Sequence, residues 1–155
     1  MASGQDVPDL SGATLSRGEG CVAVKSNVMD TAAVESVFAS AMSYKDQGNQ
    51  RMRERDFAGA ALFYTTGVGL MEFTKLLKTS PHAQEVYEAL LSNAIQAHDK
   101  ANELNMALKT ARKLLQANPN HIKGLFRHGR VLRRLSRFSE ALAAFGKAME
   151  LDGAA

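Results

Sequence analysis

One cysteine, three prolines, few aromatic residues and no apolar run of about 18 residues mark what this chain of 155 residues does without. With a single thiol, Cys21, there is no internal disulfide framework and no zinc site of the cysteine-cluster type, which fits a reducing compartment. The first thirty residues lack a charged start followed by a continuous apolar run, so neither secretion nor membrane spanning is signalled and a cytoplasmic location is expected. Alternating apolar and polar stretches of strand type are also missing. Ser, Cys and His never fall so that nucleophile, base and orienting acid can be assigned, and no glycine-rich phosphate loop follows a strand. The four histidines, His82, His98, His121 and His128, have no tight metal-ligand spacing. No catalysis, no cofactor and no bound metal are therefore expected.

The charge is uneven. Net charge is only +3, but no acidic residue stands between Glu103 and Glu140, a window that holds Lys109, Arg112, Lys113, Lys123, Arg127, Arg130, Arg133, Arg134 and Arg137. Such a field favours an anionic partner, the plain alternative being a solvated basic face.

Residues 1–29 are rich in Gly, Ser and Asp, show no sustained period and read as a flexible tail. From Asp30 or Thr31, either a reasonable N-cap, Ala33, Val34, Val37, Phe38, Ala41 and Met42 recur at helical spacing, predicting one long helix to about Glu54. Beyond it nearly everything reads as helix, and Pro81 and Pro119 fall between periodic segments. From Gly129, Phe138, Ala141, Phe145 and Ala148 follow at offsets of nine, twelve, sixteen and nineteen, and from Gly48 the same offsets give Phe57, Ala60, Tyr64 and Gly67. Ile95, 34 residues before Gly129, leads in the same way to Leu104, Ala107, Ala111 and Leu114.

A period of 34 is that of a helix-turn-helix repeat of the tetratricopeptide class. The reading is all-α, a solenoid of three antiparallel helix hairpins over 30–155, with repeats at about 41–74, 88–121 and 122–155. The small residues are expected where paired helices approach closely, with the large aromatics filling space between neighbouring hairpins. Ile95 and Leu114 break the small-residue rule and predict a wider separation in the second hairpin. The insert 75–87 reads as an extension of both flanking helices past a turn at Thr79, Ser80 and Pro81. Because solenoids usually need a capping element, a last repeat ending at Leu151-Asp152-Gly153 leads to the expectation that the chain is a fragment of a longer protein.

The first helices of successive hairpins line the concave wall of such an array. Lys45 and Asn49 are four apart on the first, Lys123 and Arg127 repeat that spacing on the third, and Asn93 lies between them on the second. Five donors, three of them cationic, suit a carboxylate or a pair of carboxylates, and asparagine side chains can bond the main chain of an extended peptide.

These residues carry a resemblance. The motif KxxGN stands as Lys45-Asp46-Gln47-Gly48-Asn49, the middle Asn as Asn93 after Ser92, and the KxxxR pair as Lys123 to Arg127, so residues 41–155 resemble the carboxylate-clamp tetratricopeptide domains of chaperone cofactors. The heat-shock organising protein and the large immunophilins carry such domains, and NHIKGLFRHGRVL is particularly similar to the third repeat of the immunophilins. The tail is too short for an isomerase domain, so any immunophilin kinship is expected to be with a truncated or degenerate member.

The resemblance implies a co-chaperone-type module that grips the C-terminal Glu-Glu-Val-Asp-type tail of a ninety- or seventy-kilodalton heat-shock chaperone. Lys45 and Arg127 would meet the last carboxylates, Asn49 and Asn93 the terminal main chain, and Lys123 the last acidic side chain. Two other classes stay open: a scaffold that binds no chaperone, and a nucleic-acid-binding helical array, for which no recognised motif is present.

Overall fold

Three turns of one design set the architecture. Arg55, Asn102 and Ser136 each take a left-handed conformation, at φ 65°, 64° and 60°. The next residue in each case donates its N–H back across the turn, Asp56 to Arg51 O, Glu103 to His98 O and Arg137 to Leu132 O, at 2.8–2.9 Å. This closes the last carbonyls of one helix and reverses the chain. None of the three is glycine, so each turn carries a local cost that the packing of its two helices must exceed.

In the computed structural model, residues 31–75 and 80–154 are described. They form six helices: α1 Thr31–Arg53, α2 Phe57–Phe73, α3 Pro81–Lys100, α4 Leu104–Ala117, α5 Ile122–Arg134 and α6 Phe138–Gly153. No strand occurs among the described residues. The chain divides into two units, Met1–Val34 and Glu35–Ala155. Of the first, only 31–34 are described, as the opening of α1; the tail read at 1–29 lies outside the described residues.

α1 ends within one residue of the limit predicted from periodicity. Starts are fixed by side chains: Asp56 accepts from Gly59 N at 2.9 Å, Ser80 from Ala83 N at 3.1 Å, and His121 Nδ1 from Gly124 N at 2.9 Å. Each satisfies an amide that a helix start leaves unpaired. The predicted extension of both helices into 75–87 holds on one side only. α3 starts at Pro81, seven residues before the repeat read from 88, whereas α2 stops at Phe73. Thr74 turns its hydroxyl back to Leu70 O at 2.8 Å and Lys75 takes φ 55°, which ends α2.

The repeat frame has a packing basis. A Cβ on Gly48 would lie 2.5–2.8 Å from the Tyr64 ring, and one on Gly129 would lie 2.7–2.9 Å from the Phe145 ring. The two aromatics thus lie on the glycine of their own hairpin, a contact that the spacing alone did not identify. Between hairpins the fit uses leucines: Leu90 of α3 covers Gly67 of α2, and Leu114 of α4 lies against Gly124 of α5. Leu114 therefore finds its room against the next hairpin. In the second hairpin the two frame positions hold Ile95 and Ala111, both fully buried, so large and small are exchanged. α3 supplies much of the core, with Leu90, Leu91 and Ile95 essentially inaccessible. Burying side chains of that size gives about 1.5–3 kcal/mol each.

A candidate carboxylate-binding groove

The first helices of the three hairpins are neighbours. Phe38 of α1 lies against His82 of α3 with ring centroids 5.1 Å apart and the planes tilted by 47°, and α3 is tied to α5 by a ladder of side-chain bonds. All five residues singled out in the sequence fall on these helices.

Asn93 and Lys123 come together, lining one open depression of about 360 Å3 between α3 and α5. Neither forms a hydrogen bond or ion pair with another described residue. Glu85, Glu88, Ala89, Ser92 and His121 complete the lining. Glu88 is held by Asn118 Nδ2 and Gln84 Nε2, both at 3.0 Å, and stands 4.0 Å from His121 Nε2. Burial first, with Arg127 and Lys123 adding to it, lowers the pKa of His121, while Glu88 opposes. A neutral ring suits its Nδ1, which accepts from Gly124 N and so fixes the start of the helix that carries Lys123 and Arg127.

Arg127 is partly buried and points at α3. Its Nη1 donates to Ser92 Oγ at 2.6 Å and to Ser92 O, and its Nη2 to Gln96 Oε1 at 2.8 Å. Every one of these partners is neutral, and no carboxylate among the described residues pairs with it. Burial, and next the charge of Arg130, draws its pKa down, but a guanidinium keeps its proton. The site thus contains a fixed cation without a counter-ion.

Asn49 is positioned from the second helix of its own hairpin. The Tyr64 hydroxyl donates to its Oδ1 at 2.7 Å, and its amide nitrogen has no hydrogen-bond partner among the described residues. Burial raises the pKa of Tyr64, and Arg127 is near enough to act against that rise, which puts Asn49, Tyr64 and Arg127 in one neighbourhood. Lys45, half-buried one turn before Asn49, has no bonded partner among the described residues. No hydrogen bond joins it to Asn93 or Lys123.

The arginines just beyond Arg127 behave differently. Asp99 of α3, its side chain 7% exposed, receives Arg130 at 3.2 Å and Arg134 at 2.6 Å. Arg137 pairs with Glu140 at 2.8 Å and Lys113 with Glu72 at 3.0 Å. The acid-free window of the sequence is thus neutralised in part by acids outside it, and the basic face is smaller than the sequence alone indicates. Among the described residues no group of three His, Cys, Asp or Glu could hold a metal ion, and no helix is long and apolar enough to cross a membrane.

Sequence reasoning missed Ser92, Gln96 and Tyr64. Ser92 stands beside Asn93 and Gln96 three residues on, a spacing that shares a helix face. Tyr64 is the aromatic sixteen residues after Gly48.

Three stacked helix hairpins with this glycine and aromatic frame define the tetratricopeptide-repeat fold. No family model matches the chain. It is similar to the second TPR of Spaghetti (RPAP3) bound to the HSP90 peptide SRMEEVD, at 22% identity and a TM-score of 0.63, over 77% of this chain and 98% of that one. It is similar too to the C-terminal TPR-containing domain of a putative FK506-binding protein of Plasmodium falciparum, at 20% identity and a TM-score of 0.68, over 82% of this chain and 85% of that one. FK506-binding protein 59 of Drosophila melanogaster is 25% identical over 118 residues, 76% of this chain and 26% of that protein. The chain spans less than a third of the length of the curated relatives it matches.

Proposed function

We propose that this chain is a non-enzymatic, cytoplasmic peptide-binding module of co-chaperone type. It holds the C-terminal Glu-Glu-Val-Asp-like carboxylate tail of a ninety- or seventy-kilodalton heat-shock chaperone in the groove formed by α1, α3 and α5. The observation that carries the reading is Arg127, a partly buried guanidinium fixed by neutral groups alone. Its missing counter-charge is what a carboxylate ligand brings, and ion-pair bonds of this kind are stronger than neutral ones. Asn93 and Lys123, unpaired in one depression beside it, supply two more donors. A fold neighbour, the second TPR of Spaghetti (RPAP3) bound to the HSP90 peptide SRMEEVD, supports the ligand class.

In this arrangement Lys45 and Arg127 meet the last carboxylates, Asn49 and Asn93 bond the terminal main chain, and Lys123 meets the last acidic side chain. Nucleic-acid binding loses ground, because Arg130, Arg134 and Arg137 are already paired with Asp99 and Glu140.

Truncating one partner of a desolvated, hydrogen-bonded charge pair costs about 2–5 kcal/mol. Lys45→Ala and Arg127→Ala should therefore each abolish measurable binding of a Met-Glu-Glu-Val-Asp peptide in calorimetry. Normal binding by either variant would remove the clamp assignment.

A further inference from the structure

Gln96 is fixed in a way that gives its amide a second use. A guanidinium has only donors, so the atom facing Arg127 Nη2 at 2.8 Å must be the carbonyl oxygen. The Nε2 amide group therefore points away from Arg127, and it has no hydrogen-bond partner among the described residues. Gln96 follows Asn93 by three positions on α3, so both lie on one face. Arg127 itself keeps donors in reserve: of the roughly five N–H groups of a guanidinium, the three bonds to Ser92 and Gln96 leave one on Nε and one on Nη2.

Charge along α3 gives the groove a direction. Glu85 and Glu88 border the depression of Asn93 and Lys123 on the N-terminal side of the helix. Gln96 lies one turn to the other side, with Arg127 against it. A chain end preceded by glutamates is repelled along the first path and attracted along the second. Three helical residues rise about 4.5 Å, and an extended peptide advances about 3.3 Å per residue, so Gln96 stands between one and two residues upstream of the group that Asn93 holds.

Building on the carboxylate-groove reading, we infer that Gln96 is a specificity-determining residue: while Arg127 meets the last carboxylates, the Gln96 Nε2 donates to the side-chain carboxylate of the third-from-last residue. The peptide runs with its upstream acidic residues toward Gln96 and away from Glu85 and Glu88. A glutamate at that position is preferred over an uncharged residue.

The test is calorimetric titration of the full chain and of Gln96→Leu and Gln96→Glu with Met-Glu-Glu-Val-Asp and with Met-Glu-Ala-Val-Asp, with thermal unfolding run on each variant. A hydrogen bond to a charged group sets the scale: Gln96→Leu should weaken the first peptide about tenfold and the second by no more than about twofold. Gln96→Glu should weaken the first peptide further, because its carboxylate occupies Arg127, without lowering the unfolding temperature. Unchanged affinity of Gln96→Leu for the first peptide, or an equal loss on both, would overturn the inference, the latter leaving Gln96 only the task of holding Arg127. If the unaltered chain bound neither peptide, the groove reading would fall and this inference with it.

Discussion

Two glycines in the first hairpin should answer alanine in opposite ways. Gly69 lies inside α2, and a Cβ there would meet nothing within 4 Å. Alanine removes the backbone-entropy cost of glycine in a helix and should stabilise by up to about 1 kcal/mol. Gly48, inside α1, offers the same gain, but its Cβ would lie 2.5 Å from Tyr64 Cε1 and 2.7 Å from Cδ1. Carbon atoms sit comfortably at about 3.5–4.0 Å, so the ring must move by roughly 1 Å. Tyr64 is only 1% exposed and has no open side to move into. Overpacking of this kind costs about 1–3 kcal/mol, and losing the hydroxyl bond to Asn49 adds about 1 kcal/mol.

The net effect at Gly48 is a loss of about 1–3 kcal/mol once the helix gain is subtracted. At roughly 4 °C per kcal/mol for a domain of this size, Gly69→Ala should melt a few degrees above the unaltered chain and Gly48→Ala about 4–12 °C below it. Thermal unfolding followed by circular dichroism, with urea titration as a second measure, reads both. Equal rises for the two variants would refute the packing argument. Because Tyr64 holds Asn49, Gly48→Ala should also weaken peptide binding, an effect that Gly69→Ala should not share.

Three more expectations come from individual contacts. Tyr64→Phe removes the 2.7 Å bond to Asn49 and should cost about 1 kcal/mol of stability together with a loss of peptide affinity, read by urea unfolding and calorimetry. Asp99→Ala leaves Arg130 and Arg134 without their acid and should destabilise by about 1–3 kcal/mol, whereas an unchanged urea midpoint would mean that the Asp99 pairs between α3 and α5 contribute nothing. Burial holds His121 and His128 below their ordinary pKa of 6.5, so the unfolded chain takes up these protons first. Stability from both is present above pH 6.5 and is lost as pH falls toward their lowered pKa values. The melting temperature should therefore drop on acidification below pH 6.5, and less steeply in His121→Asn, which keeps a capping side chain.

The repeat frame was readable because its cause is local and recurrent. The offset of sixteen from Gly48 to Tyr64 and from Gly129 to Phe145 is a direct contact, so the pattern survives in the sequence. That each aromatic lies on the glycine was not read, since spacing fixes a face and not the neighbour across it. The end of α2 was misplaced because the apolar period runs on past Phe73, while Thr74 and Lys75 stop the helix by their own backbone geometry. Of the groove, the five donors were legible by residue type and helix spacing. Their surroundings were not: Ser92 and Gln96 reach Arg127 across 35 and 31 positions, and Asp99 reaches Arg134 across 35. Such pairings depend on how hairpins stack, so the acid-free window gave too basic a picture of the surface.

The claim that the groove reads a chain terminus is tested most directly by titrating the chain with Met-Glu-Glu-Val-Asp beside the same peptide amidated at its C-terminus. The account predicts binding of the free acid and none of the amide, because Lys45, Asn49, Asn93 and Arg127 act on a carboxylate that the amide no longer has. Equal binding of the two, or binding of neither, would contradict it.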